Sequence, residues 1–454
     1  MKTWNSFHLR RLMQAFVDVG ILASLFFAAV SGYATTLYWD TNGSAPGSGN
    51  AGGNWNTNTY WTTDSTGASA TDFYANLASA TNDIYFSAGT DGVGTFAVTN
   101  TVNVPYTVNK LVVEEGKVTV QGSTSARTLT LAGVGEINVA SGATLYSSVQ
   151  MNGTVGFTKT GAGTLQKMGN ADSYTGTTWI KEGTYSGGNN YIPDSSRLLI
   201  DVGATVTFGN RSDTVGSLAG AGTFQFGGSS GSIFTCGGDN TSTEFSGKIN
   251  DSSSFKGGLV KAGTGTLKLS GANTYRPQTT VTNGVLDITG THTITTYNAD
   301  GGNYFVNASA TLAGTGTITL PSGKSVTLTG TGTGAELATL APGDNTAANT
   351  IGTFTANTTV VFGDYSNLAI EISGGSVDKL AATSLDLSSA NDYLAINATG
   401  ATSNRYVFAT YTGSLNGNTF DHVSITGLPG AKIDYSSSGE IAVIIVRGTL
   451  ISIF

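Results

Sequence analysis

The chain has 454 residues, a formal charge of −8, only 11% charged side chains, 63 glycines, three histidines and one cysteine, Cys236. That balance argues against a nucleic-acid or anionic-membrane binder, which needs a basic stripe, and excludes an intramolecular disulfide, which needs two cysteines. An apolar fraction of 39%, set in short alternating runs, describes a folded, β-rich, glycine-punctuated chain rather than a disordered one.

Residues 1–34 read as a secretory signal peptide. Lys2, Arg10 and Arg11 make a basic start, 19–30 an apolar run, and Gly32, Tyr33 and Ala34 a small-residue exit, with cleavage expected after Ala34. The run of about 12 residues falls short of the ~20 that a membrane-spanning helix needs, so export is expected and no anchor is evident.

Residues 35–82 hold Trp39, Trp55 and Trp61, three of the four tryptophans beyond the leader. A solenoid needs an atypical first unit to cover its open interior and strand edge, so this segment is expected to be an N-terminal cap. The alternative is a glycan-binding platform on exposed faces of Trp39, Trp55, Tyr60 and Trp61. Asp40, Asn42 and Asn54 lack the spacing and the distal Glu of a calcium loop.

Between 83 and 340 the pattern becomes strand and turn: DIYFSAG, YTVNKLVVEEG, KVTVQG, RTLTLAG, EINVASG. Each run is rich in Val, Ile, Thr, Phe or Tyr and stops at Gly, Asn or Ser, which suit tight corners. No amphipathic helix is visible beyond the leader. Residues 261–288 (KAGTGTLKLSGANTYRPQTTVTNGVLDI) have a diluted copy at 159–184 (KTGAGTLQKMGNADSYTGTTWIKEGT). Lys159, Gly161, Gly163, Leu165, Gly169, Tyr174 and Gly183 recur as Lys261, Gly263, Gly265, Leu267, Gly271, Tyr275 and Gly284. The copies keep glycines and apolar residues, not carboxylates or histidines, which marks a building unit; rungs of roughly 20 residues are expected.

From 341 to 446 alternation is cleaner, at Leu368, Ile370 and Ile372 and again at Leu394 and Ile396. This stretch is expected to be a β-rich C-terminal region, either the end of the solenoid or a small β-sandwich cap. The apolar tail at 447–454 reads as a final strand or as the cut end of a longer chain.

Chemistry finds little support. Cleaving a glycosidic bond takes two carboxyl groups roughly 5–10 Å apart. Glu114 and Glu115, like Asp421 and His422, are sequence neighbours, and in a strand neighbours face opposite sides. His292 and His422 stand far apart, and neither GGDN at 237–240 nor ADGG at 299–302 is a calcium-stacking nonapeptide. No catalytic residue, cofactor or metal is expected.

At KAGTGTLKLSGANTY and its copy the sequence resembles the autotransporter-associated β-strand repeat family of exported bacterial proteins. Gly263, Gly265, Thr266, Leu267, Leu269, Ser270, Gly271, Asn273, Tyr275, Thr279, Val281, Gly284 and Leu286 match its pattern, and Pro277 departs from a usual Gly. The resemblance implies an all-β, right-handed parallel β-helix displayed as an autotransporter passenger. It would be secreted or held at the outer membrane surface and serve in adhesion or extracellular matrix. Surface glycans or matrix are the partners this implies. A carbohydrate-binding adhesin and a polysaccharide lyase or glycosidase stay open as alternatives.

Overall fold

Period-two alternation in runs of about four residues leaves each strand one apolar face, and glycine corners let the chain turn and lay the next strand alongside. In the computed structural model such strands stack in parallel, coil upon coil, into a β-helix. The structure describes residues 35–445 apart from 56–57, 70–81, 88, 90–96, 103–104, 123–127, 189, 210–211, 228–230, 253–255, 296–301, 344–349 and 418. The expected signal peptide, the 447–454 tail and most of ADGG lie outside the described residues. Among the described residues no helix is long and apolar enough to cross a membrane.

The stacking is in register. Thr144 pairs with Thr164, Thr164 with Thr184, Thr184 with Thr205, and Thr205 with Thr223. One residue on, Leu145, Leu165, Tyr185, Val206, Phe224 and Ile249 point inward and are at most 1% exposed. Neighbouring coils therefore satisfy each other's backbone edges at a spacing of ~4.8 Å. Each buried Leu, Val or Phe contributes about 1.5–3 kcal/mol relative to exposure.

The faces of the helix differ in extent. A first sheet runs from Thr36–Trp39 to His422–Thr426; a second runs from Gly53–Asn54 to Lys248–Asp251. A third begins at Asp213–Val215 and continues past Arg405–Tyr411. From residue 213 the helix thus carries a third face beside the other two, and the second is continued past Lys248–Asp251 by Ala272–Asn273, where the Thr274 amide donates to the Ile249 carbonyl at 2.9 Å.

At the N-terminal end Thr36–Trp39 is parallel to Asp83–Tyr85 on one side and antiparallel to Trp61–Thr62 on the other. Trp39, Trp55 and Trp61 are fully buried here, with Phe86 and Tyr106. The Trp39 and Trp61 rings meet edge to face at 5.1 Å, and the Trp61 indole N–H donates to the Trp55 carbonyl at 2.7 Å.

Among the described residues the C-terminal region up to Thr399 continues the solenoid. Thr353–Phe362 and Lys379–Leu387 continue the third sheet in parallel, and Ser366–Ser373 pairs with Asp392–Thr399 in unbroken register from Ser366↔Asp392 to Ser373↔Thr399. The cleaner alternation of this region reflects longer strands, 10 residues in Thr353–Phe362 against four in Thr164–Lys167. Beyond this, Arg405–Tyr411, Glu440–Ile445 and Ala431–Asp434 pair antiparallel with one another.

Candidate functional site

The two repeats fold into the same corner, and each is centred on a lysine that points inward. Lys159 occupies a ladder between Ile137 and Ile180, and Lys261 one between Cys236 and Val281. Their exposures are 0% and 1%. The Lys159 amine donates to the carbonyls of Thr160 at 2.9 Å, Gly161 at 2.6 Å and Glu182 at 3.1 Å. The Lys261 amine reaches the matching carbonyls of Ala262 at 2.7 Å, Gly263 at 2.9 Å and Asn283 at 3.2 Å. Corner carbonyls fall outside the strand ladders, and a buried acceptor left without a donor is costly. An ammonium has three donors for these three acceptors, so it clamps one corner to the next. Burial pulls both lysines down to about 8, opposed by Glu182 at Lys159 and by Cys236 and Asp239 at Lys261. At neutral pH the charged form still predominates.

The other shared residues complete the corner. Gly183 and Gly284 sit at φ +66° and +64°, and a Cβ there would lie 2.4 Å from the Gly163 carbonyl oxygen or 2.5 Å from that of Gly263. Leu165 and Leu267 fill the interior. Gly161, Gly163, Gly265 and Gly271 lie against carbonyls of the coil below, as does Gly263. The buried Tyr174 and Tyr275 hydroxyls bond to Thr178 and Thr279, at 2.6 Å and 2.8 Å.

The copies occupy different faces: Phe157–Thr160 and Thr164–Lys167 belong to the first and second sheets, Lys256–Lys261 and Thr266–Leu269 to the third and first. The repeat therefore encodes a corner, not a face.

Several interior polar groups were invisible from sequence. The Lys167 amine meets Asp172 at 2.9 Å with both side chains fully buried, and donates to the Val149 carbonyl at 2.6 Å. Burial pushes the Asp172 carboxyl up, with the Lys167 ammonium opposing. His292 stacks on Tyr275 at 4.0 Å and places Nε2 2.7 Å from the Tyr275 carbonyl. A carbonyl only accepts, so Nε2 carries the proton and Nδ1 accepts from the Tyr304 hydroxyl. Burial holds this imidazole neutral by lowering it to about 4.

Buried carboxyls tie coils together. Asp378 accepts the Gly352 amide at 2.9 Å, Asp392 the Asp421 amide at 2.8 Å, and Asp213 the Tyr191 and Ile192 amides of the coil before it. Burial raises Asp378 and Asp392 to about 6 and Asp213 to about 7.

The sites expected from sequence fare differently. Trp39, Trp55 and Trp61 offer no face to a ligand because each is spent on the core, and Tyr60 packs edge-on against Trp39 at 5.2 Å. The N-terminal aromatics are therefore not an exposed platform. The reason is visible in TLYW, whose alternation turns Leu37 and Trp39 inward. Asp40 accepts the Asn42 amide at 3.1 Å. Glu115 accepts the Ser87 hydroxyl at 3.1 Å, while burial followed by repulsion from Glu115 raises Glu114. His422 stacks on Tyr393 at 4.4 Å. Among the described residues no three His, Cys, Asp or Glu side chains gather as a metal site. The Cys236 thiol is buried and pushed up to about 12.

The corners just described coincide with a known repeat. The passenger-associated-transport-repeat model matches residues 157–184 and 259–288. The adhesin BmaC autotransporter of Brucella suis biovar 1 (strain 1330) is 32% identical over 197 residues, covering 42% of this chain. The aligned stretch spans only 5% of that adhesin's length. With stacked parallel coils, two matched repeats and this relative, the chain is an autotransporter passenger-like repeat protein.

Proposed function

We propose that the protein is an adhesive rod: an exported, non-enzymatic passenger that holds variable surface side chains away from the cell in adhesion or extracellular matrix. Its autotransporter relatives imply a secreted or cell-surface place in a bacterium. The observation that carries the proposal is that the repeat's shared residues are consumed by the coil. Lysines clamp corners and tyrosines bond to threonines, while outside the repeats a buried carboxyl such as Asp378 accepts a backbone amide of the neighbouring coil. A rod of this kind needs no reacting groups, since its outer ladders are what a partner meets. The expected leader at 1–34 suits export, and the N-terminal tryptophan cluster suits a cap that closes the first coil.

Beads coated with the purified chain should adhere to host cells or immobilised matrix more than beads coated with its heat-unfolded form. Equal adhesion of the two would remove the adhesive reading. Release of reducing sugar from polysaccharide by the folded chain would replace it with an enzymatic one.

A further inference from the structure

The fourth tryptophan beyond the leader, Trp179, differs from the other three. It lies on the outer side of Thr178–Ile180 in the first repeat and is partly exposed, whereas Trp39, Trp55 and Trp61 are at 0%. The corner does not require it, because the same position in the second repeat is Thr280. Nor does it require the neighbouring Lys181, where the second repeat has Thr282. The Lys181 amine lies over the Trp179 ring, 4.3 Å from its centroid, and so occupies one face of the indole, leaving the opposite face as the one a ligand would use.

Along the helix axis Trp179 is followed in register by Leu199 and then Ala219. The neighbouring coils are also unusually apolar outside. Val155 just before Phe157–Thr160, Val134 within Thr128–Val139, and Val202 just after Arg197–Ile200 are 45%, 65% and 80% exposed. In the coils above Trp179 a recess of about 480 Å³ is lined by Asp201 and Val202 of the first, Gly220 and Ala221 of the second, and Glu244 and Ser246 of the third. From Trp179 to the coil of Glu244 is three steps, about 14 Å, the reach of a short oligosaccharide.

We infer that this outer face of the first repeat binds a neutral oligosaccharide laid along the helix axis; the inference rests on the adhesive reading above and names its ligand class. A pyranose ring carries an apolar face that stacks on an indole, and hydroxyls that need directional partners, here Asp201, Glu244 and Ser246. Charge selects among glycans. The carboxylates Asp201 and Glu244 at the recess are matched by Lys181 at the indole and by Lys268, in register with Glu244, within a chain of −8 overall, so the face offers uronic-acid or sialylated chains no net attraction and a neutral chain is the ligand expected. An indole, with only two side-chain torsions, also loses little freedom on binding.

The test is calorimetric titration of the full chain with cellohexaose, chitohexaose and mannohexaose as neutral probes, and hyaluronan hexamer as the acidic one. At least one neutral hexamer should bind, and Trp179→Thr, which imports the second repeat's own residue, should weaken it at least tenfold without lowering Tm. Trp179→Phe should restore part of the affinity. The inference is overturned if no neutral hexamer binds, if Trp179→Thr binds as wild type, or if only the acidic hexamer binds. Bead adhesion separates the two readings: adhesion that survives periodate oxidation of the host glycans keeps the adhesive rod and removes the glycan site, in favour of a protein partner.

Discussion

Between residues 157 and 184 the strand after the corner ends on Lys167, whose ammonium meets Asp172 in the dry interior. At the same place between 259 and 288, Leu269 packs as plain hydrocarbon, and Asn273 stands where Asp172 does. The equivalence is physical as well as sequential: Asp172 accepts the Met151 amide at 2.7 Å, and Asn273 accepts the Ile249 amide at 2.9 Å. What both copies keep is the clamp, the glycine contact and the tyrosine–threonine bond. What they exchange is interior filling and outward decoration. The corner is thus the invariant, and a coil tolerates even a buried ion pair in its interior, where the Lys167 ammonium and the Met151 amide share one oxygen of Asp172.

The sharpest way to break the comparison is at the ion pair. Asp172→Ala leaves Lys167 charged, buried and unpaired, and should cost about 4 kcal/mol by chemical denaturation. Lys167→Leu with Asp172→Asn imports the second repeat's interior and should melt at or above wild type, because a well-packed hydrocarbon replaces a desolvated pair. A double variant as unstable as Asp172→Ala would show that the two interiors are not interchangeable.

The shared clamp is the next test. Lys159→Met and Lys261→Met keep most of the volume but strip three carbonyls of their donor, and each should cost about 3 kcal/mol. Unequal losses would mean that the corner is not one device used twice.

Acidity probes the carboxyls between coils. Asp213, Asp378 and Asp392 have native values raised by burial above the ordinary carboxylate range. The folded state therefore binds protons more tightly than the unfolded chain. The stability this contributes is complete below about pH 4 and lost as pH rises through about 6 to 7. Tm should fall between pH 5 and pH 8, and Asp213→Asn should flatten that slope. The smallest effect is expected for Tyr174→Phe and Tyr275→Phe, about 1 kcal/mol each for one hydrogen bond.

Much of the fold was legible because period-two patterning and corner glycines are local signals. TLYW, TVTF and TLKL each place their second and fourth residues inside, as their alternation says. The matched lysines at 159 and 261 were visible as a recurrence, yet their inward direction was not, since a charged residue in a strand reads as a surface group. Lys167, Asp172, Asp213 and His292 were hidden for the same reason: partners in neighbouring coils or across a turn, such as Val149 and Asp172 for Lys167 and Tyr275 and Tyr304 for His292, decide whether a polar group can be buried, and no local pattern carries that. The tryptophans show the converse. Trp39, Trp55 and Trp61 drew notice as a cluster that turns out to be core, while Trp179, embedded in a repeat, is the one that faces outward.

The central claim is that residues about 100 apart in sequence lie a few coils apart in space. Tyr146 connects in register through Gln166, Ser186, Thr207 and Gln225 to Asn250. Five coil steps set that separation at about 24 Å. Spin labels on Tyr146→Cys and Asn250→Cys measure it directly, because the buried Cys236 takes no label in the folded chain. A narrow distance distribution near 24 Å, with Tyr146→Cys and Gln225→Cys one coil step shorter, is the predicted result. A mean more than twice that length, or no shortening between the two pairs, would contradict the stacked coil.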